Sequence, residues 1–230
     1  MLRYVVRMYL KEIFTGSTYW IILGVLLWSE YFAASQFKGE LALVEMLQFI
    51  AIPVYIFLVS TVFFTEDKVL TFELVMFRDW STVAVGRLLS LFLSLTPFTV
   101  ATVLIVGHYH AGTFMVPISV AVLLYSTTII LSTVIGGGSK LYVLSMGLLF
   151  MLPFSSLVLI QNQASLGNPV HGAMGYLTYL FAPVYGSYAV SSRILLVDSN
   201  LANWIVFGLS VFLGIGYPFI FKRREVHPGN

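Results

Sequence analysis

Three histidines have the chemistry to bind a metal ion. His108 and His110 form a His-x-His pair at the end of an apolar run, and His171 follows a later run. Imidazole is a common ligand for zinc and other transition metals. Residues two apart on a helix point in different directions, and no Asp or Glu flanks the pair. The spacing therefore favours solitary histidines, and we predict no metal site.

Two further kinds of reactive chemistry lack the partners they need. The cluster GGGSK at 136–140 does not have the GxxxxGK[ST] spacing that wraps backbone amides around a phosphate, and it is typical of a turn. The sequence contains no cysteine, so cysteine nucleophiles and thiolate metal sites are excluded. A serine nucleophile needs a nearby base, and the apolar runs with serines contain no internal histidine. We predict no catalytic residue, no bound cofactor and no enzyme activity in the chain itself.

The composition is that of a membrane protein. Of the 230 residues 59% are hydrophobic and only 10% are charged, with a mean hydropathy of +0.93, whereas soluble domains are about 25% charged. A helical crossing takes about 20 apolar residues, so the chain has room for six or seven crossings and no second large domain. A net charge of +2 does not suggest a nucleic-acid partner.

The apolar runs predict an all-α membrane protein with six transmembrane helices in a single transmembrane domain, residues 1–230. A seventh candidate, 176–197, is set aside on charge. With six helices and cytoplasmic termini, 10 of the 12 basic residues face the cytoplasm and only Lys38 and Arg193 lie outside, which indicates a multi-pass protein of the cell membrane. The predicted spans are 19–34, 44–64, 83–107, 113–135, 141–161 and 204–221.

Two segments are predicted to lie at the membrane surface. Residues 164–200 form an external, membrane-dipping segment that Pro183, Gly186 and Arg193 interrupt. Residues 1–15 form an interfacial helix, with an apolar face in lipid and cations toward anionic headgroups; a cleaved signal peptide ending near 33–34 is the alternative. The cationic row of this helix consists of Arg3, Arg7 and Lys11.

A single acidic residue, Glu30, lies inside the first span. Ionisable residues in a bilayer are costly and often functional. Its position near the outer end of the span predicts that it reaches water or Lys38. Aromatic residues of the fifth span suit a hydrophobic or amphipathic molecule. We take Glu30, Phe150 and Phe154 as a possible substrate pathway.

The segment 66–82 between the second and third spans combines charged and apolar residues. Thr71 can cap a short helix over about 72–79, with Glu73 at the favourable end of its dipole. That helix is too short to cross a membrane and too apolar to remain in water. We therefore expect it to dock in a groove of its own bundle or of a partner protein.

EDKVLTFELVMF, residues 66–77, resembles the segment after the second helix of type-2 ABC exporter permeases, approximately E-x-x-x-G-T-x-E-x-L-L. Glu66, Thr71 and Glu73 match in register, while Leu70 and Asp79 stand where the family usually has Gly and Pro. An interfacial N-terminal helix, six spans and an external segment between helices five and six are also similar to this family.

The resemblance implies the membrane subunit of an ATP-driven exporter that works by alternating access. Residues 71–79 would be the coupling helix, seated in a separate ABC ATPase subunit that binds ATP and Mg²⁺, and a second copy or a sister permease would complete the pathway. The alternatives are a stand-alone secondary transporter and a non-transporting scaffold that recruits a soluble partner. The predicted partner-binding residues are Glu66, Thr71, Phe72, Glu73, Leu74, Val75, Met76 and Phe77.

Overall fold

The protein is built almost entirely of α-helices. A computed structural model describes residues 1–36, 40–63, 76–77, 79–110, 112–135 and 147–225, and 89% of it is helical. The exception among these residues is a parallel pair of two-residue strands, β1 (Val170–His171) and β2 (Leu195–Leu196). The fold class predicted from the apolar runs is therefore confirmed as a helical protein with the features of a membrane protein.

The helices of the first half follow the predicted spans closely. An N-terminal helix is separated from the next by Gly16, and the second long helix is composed of consecutive pieces that differ in winding. The bounds are α1 Leu2–Thr15, α2 Ser17–Gln36, α3 Glu40–Met46, a π-helical stretch Leu47–Ala51, α4 Ile52–Ser60, a 3₁₀ turn Thr61–Phe63 and α5 Trp80–Tyr109.

The second half contains three long helical segments and two short helices. The short pair lies between the last two long segments, in the region predicted to dip into the membrane. The bounds are α6 Met115–Ile135, a π-helical stretch Gly147–Met151, α7 Leu152–Ser165, α8 Gly172–Phe181, α9 Pro183–Ser191 and α10 Ser199–Glu225.

Among the residues that the structure describes, five helical segments are long and apolar enough to cross a membrane, and the number is six if the bent pair α1–α2 is one span. The bend between α1 and α2 is 68°, so the chain changes direction where residues 1–15 were predicted to separate from the first span. Residues 176–197 do not form one continuous helix, because α8 ends at Phe181 and α9 ends at Ser191. This segment is therefore not a single uninterrupted span.

Each π-helical stretch ends two residues before a proline. Leu47–Ala51 is followed by Pro53, and Gly147–Met151 is followed by Pro153. A proline inside a helix removes one backbone donor, and its ring collides with the carbonyl four residues earlier. A wider turn at that place relieves the collision, which is a physical reason for the change of winding.

The segment between α7 and α10 is a compact helical hairpin. The two helices approach so closely that a Cβ added at Gly186 would lie 2.9 Å from Tyr179. Gly186 therefore lies inside α9 as a contact point, and the prediction that it interrupts the segment is wrong. The interruptions are at Pro183, which begins α9, and at Arg193, which follows α9 with a positive φ of 59°.

The core is centred on α6, where 72% of the most apolar stretch is buried, against 22% for α7 and α10. Helix α1 packs on α5, where a Cβ at Gly86 would lie only 2.5 Å from Val5. Val5, Tyr9 and Ile13 are buried. The prediction that the apolar face of this helix lies in lipid is therefore wrong for this stripe, because the missing side chain of Gly86 lets the protein cover it.

Candidate functional site

Most of the predicted coupling residues lie outside the described residues. These are Glu66, Thr71, Phe72, Glu73, Leu74 and Val75. Met76 and Phe77 are described and helical, with 60% of Met76 exposed and Phe77 buried against the core. The apolar side chain of Phe77 therefore faces the helix bundle, whereas that of Met76 is exposed on the surface.

Asp79 begins the helix that follows. Its backbone is extended, with φ −146° and ψ 105°, and its carboxylate accepts hydrogen bonds from the Ser81 amide at 3.0 Å and from the Thr82 hydroxyl. These contacts make Asp79 the N-cap of α5. The predicted inclusion of Asp79 in the preceding short helix is therefore wrong, and α5 begins at Trp80 rather than near Val83. Hydrogen bonds from the hydroxyls of Thr82 and Ser81 lower the pKa of Asp79 below 3.8.

A buried arginine lies two turns into α5. Arg87 is 1% exposed, and its Nε donates to the Tyr9 hydroxyl at 2.7 Å. Its guanidinium lies 5.5 Å from the Tyr9 ring and 5.9 Å from the Phe221 ring, within the range of cation–π attraction. Nearby, the Lys222 ammonium lies 5.3 Å from the Trp80 ring. These contacts join the beginning of α5 to α1 and to the end of α10.

Further along α5, tyrosines join it to α2 and α4. The hydroxyl of Tyr55 donates to the carbonyl of Ser94 at 2.8 Å and lies 2.5 Å from the hydroxyl of Tyr19. The Tyr55 ring stacks on Phe98 at 4.3 Å. Helix α5 packs against α1, α2, α4, α6 and α10. A displacement of the first turn of α5 would therefore also displace the helices that pack against it.

Glu30 is fully buried between α2 and α5. Its exposed fraction is 0%, so the prediction that it reaches water is wrong, while Lys38 lies outside the described residues. Thr102 donates to Glu30 Oε2 at 2.8 Å, and Oε1 has no hydrogen-bond partner among the residues that the structure describes. An ionised carboxylate in such a place would be costly without a compensating charge. This side chain is therefore the strongest candidate for a functional acid in the described part of the chain.

The histidine pair lies at the C-terminal end of α5, with His108 in its last turn and His110 as its C-cap. His108 packs edge-on against Tyr109 at 4.8 Å, whereas His110 Nδ1 lies 3.8 Å from a carboxylate oxygen of Glu40. The partner of His110 thus comes from a distant part of the sequence. Within the described residues, no three metal-binding side chains lie together.

A second buried polar cluster supports the α8–α9 hairpin. The side chain of Gln48 is 0% exposed. Its Oε1 accepts from the backbone amides of Val184 at 2.9 Å and Tyr185 at 3.4 Å, and its Nε2 donates to the Tyr125 hydroxyl at 2.6 Å. Tyr125 in turn donates to the Phe181 carbonyl at 2.5 Å. One side chain from each of two long helical segments thereby provides hydrogen-bond partners for the backbone at the break between α8 and α9, and buried backbone polar groups need such partners.

The remaining predicted residues occupy different surroundings. Phe150 is half-buried and packs against the core, whereas 56% of Phe154 is exposed, so Phe154 does not share the buried environment of Glu30. The cationic row of α1 is exposed, as its helical spacing predicts. That row consists of Arg3, Arg7 and Lys11.

Sequence reasoning missed two of the residues that organise these clusters. Gln48 is the only amide side chain in the run 44–64, and Arg87 is the only charged residue in the run 83–107. A strongly polar side chain within an apolar run was the available signal, because it must find a partner inside the protein. The identity of the partner was not readable from spacing.

Comparison of the chain with protein-family models, with curated protein sequences and with solved structures gives no match. By its fold the chain is a helical protein, and its described part contains five or six helices that are long and apolar enough to cross a membrane.

Proposed function

We propose that this chain is the membrane-spanning permease subunit of an ATP-driven ABC exporter. The resemblance of residues 66–77 to the coupling segment of type-2 permeases is the observation that carries the proposal. ATP and Mg²⁺ would bind to a separate ATPase subunit, and two permeases would enclose the pathway. A hydrophobic or amphipathic substrate fits the apolar character of the chain.

The surroundings of the coupling segment support this proposal. The segment leads through Phe77, which is buried against the core, into the Asp79 cap of α5. Beyond the cap, Arg87 joins α5 to Tyr9 of α1 and Phe221 of α10. A partner that displaces the short helix would therefore move a helix that is linked to several others. Coupling of this kind requires that the partner binds the two bundle states with different affinity.

The first experiment tests the partner. The chain is co-expressed with a candidate ABC ATPase, purified and reconstituted, and ATP hydrolysis by the complex is measured without any added substrate. We expect equal stoichiometry of the two subunits and a loss of chain-stimulated hydrolysis in Glu73→Lys. Glu12→Lys makes the same charge change at an exposed acid of α1 and is the matched control. Stimulation that survives in Glu73→Lys, or that is lost equally in both variants, contradicts the proposal.

The second experiment tests the orientation that coupling needs. Because the chain has no cysteine, a single cysteine can be introduced without removing others. Met76 and Leu166 are 60% and 68% exposed, so both sites should react with a maleimide. A membrane-impermeant maleimide should label Leu166→Cys in intact cells and Met76→Cys only after the inner face is opened. Labelling of Met76→Cys in intact cells would place the segment on the wrong side for an ATPase.

A second candidate function is supported by Glu30. A buried acid with one unpartnered oxygen is typical of proton-binding sites in secondary transporters. In vesicles that contain this chain alone, such a transporter would take up protons when a pH gradient is imposed. A proton-sensitive dye would detect this uptake, and Glu30→Gln would abolish it while Glu12→Gln would not. Proton flux without an ATPase would favour this candidate, and its absence together with ATPase stimulation would favour the exporter.

A further inference from the structure

A long open groove runs along the junction of α1 and α5. Its first part, about 630 Å³, is lined by the cationic row and by apolar side chains of α1, with Leu89 of α5 opposite. Its second part, about 610 Å³, continues along α5 to Leu104. Leu10 and Phe14 line both parts, so the two shallow parts adjoin one another on the surface.

The two ends of the groove differ in chemistry. Arg3, Arg7 and Lys11 all line the first part and are exposed, whereas the second part is lined by apolar side chains and one threonine. A ligand that fills the groove must therefore be anionic at one end and apolar along the rest. The neighbouring acid Glu12 is exposed but does not line the groove.

The length of the groove fits a lipid chain. Leu89 and Leu104 are 15 residues apart on a continuous helix, a rise of about 22 Å. One leaflet contributes about 15 Å of hydrocarbon, half of the usual bilayer core. The lining residues are well exposed, with Leu89 at 40%, Val100 at 52% and Leu104 at 67%, so an acyl chain can enter from the side.

We propose that this groove is a binding site for one anionic glycerophospholipid, with its phosphate at the Arg3, Arg7 and Lys11 row and an acyl chain along α5. The complementary charge distinguishes this site from ordinary lipid contact, which does not depend on the headgroup. Because the bound lipid would contact both helices, it would stabilise the packing of α1 on α5 in addition to the contact between Val5 and Gly86. The proposal does not depend on the exporter function.

The test measures lipid retention by the full chain. Protein in nanodiscs of phosphatidylcholine is titrated with phosphatidylglycerol of the same acyl chains, and the bound lipids are counted by native mass spectrometry. We expect Arg7→Gln with Lys11→Gln to weaken phosphatidylglycerol binding about tenfold or more, since each basic residue at an anionic surface strengthens binding by about fivefold. The control pair, Arg193→Gln with Arg223→Gln, removes two exposed cations outside the groove and should change the binding less than twofold.

A second pair of variants tests the apolar part. Val100→Trp fills the groove, and Val211→Trp places the same bulk at another exposed valine, 40% exposed on α10. Only Val100→Trp should reduce phosphatidylglycerol retention. Equal loss in the two charge pairs, equal retention of both headgroups, or unchanged retention in Val100→Trp would each overturn the proposal. Cross-linking of Leu104→Cys to a second copy of the chain would also overturn it, because a protein would then occupy the groove.

Discussion

Removal of the Gln48 side-chain amide should weaken the α8–α9 hairpin more than any other single polar change in this region. Gln48→Leu replaces the side chain with an apolar one of similar size, which leaves the backbone amides of Val184 and Tyr185 without an acceptor. Because Pro183 begins α9, these amides belong to the first turn of the helix, which has no intrahelical acceptor for them.

The expected cost follows from the geometry. A buried donor that loses its partner costs about 1–3 kcal/mol. The Val184 bond is 2.9 Å and the Tyr185 bond is 3.4 Å, so the second contributes less. We expect Gln48→Leu to lower the free energy of unfolding by about 2–4 kcal/mol. Tyr125→Phe, which leaves the Phe181 carbonyl unpaired, should cost about 1–2 kcal/mol.

The assay is reversible unfolding in mixed micelles, with tryptophan fluorescence as the signal and Gln36→Leu, an exposed position on α2, as the control. Hydrogen exchange of the peptide 182–191 gives a local readout and should rise in Gln48→Leu only. The double variant with Tyr125→Phe should cost less than the sum of the single variants, because both belong to one network. A cost below about 0.5 kcal/mol, or one equal to the control, would refute the reasoning, since bonds in membrane proteins average about 0.6 kcal/mol.

Three further predictions concern the ends and contacts of helices. Gly86→Ala should weaken the packing of α1 on α5 and increase proteolysis of residues 1–15, since the new Cβ would lie 2.5 Å from the Val5 side chain. Gly24→Ala, where the new Cβ would enter open space, should leave proteolysis unchanged. The low pKa of Asp79 means that its carboxylate form stabilises the start of α5 at neutral pH. This contribution should be lost as the pH falls through the pKa of the folded state, which lies below 3.8. Thermal unfolding of Asp79→Asn, followed over the same pH range, should not show this loss of stability. Arg193→Gly should raise the free energy of unfolding by up to about 1 kcal/mol by relieving the positive φ; lower stability would contradict it.

The long helices were predictable because a bilayer imposes their length and composition. Each crossing needs about 20 apolar residues with all backbone bonds satisfied internally, so the apolar runs give the helices within a few residues. The differences occur at the ends, where local chemistry decides. Asp79 starts α5 earlier than hydropathy indicates because its side chain caps the first turn.

The polar clusters were not predictable from the same patterns. The partners of Gln48 lie 77, 136 and 137 residues away along the chain, and Glu30 meets Thr102 across 72 residues. Hydropathy identifies the polar residue but carries no information about which helices become neighbours. The position of Glu30 near the end of its apolar run suggested contact with water, but packing of α2 on α5 covers it instead.

The contacts along α5 also bear on where a substrate would pass. At 30 residues, α5 is about 45 Å long, which exceeds the roughly 30 Å hydrocarbon core. Polar contacts join it to its neighbours at three levels, from Arg87 through the Ser94 carbonyl to Thr102. Such contacts have specific partners and do not stretch continuously, so helices joined by them should move together.

By this reasoning α1, α2, α4 and α5 form one rigid unit. A substrate pathway between these four helices would require their contacts to break. In the proposed exporter, the substrate would then pass on another face of the bundle, where a second permease could complete the walls. Phe154 lies on such a face, with 56% of its side chain exposed, whereas Glu30 lies inside the unit and is fully buried. We therefore expect Phe154→Ala to alter substrate selection, and Glu30→Gln to alter the equilibrium between bundle states with the same selectivity.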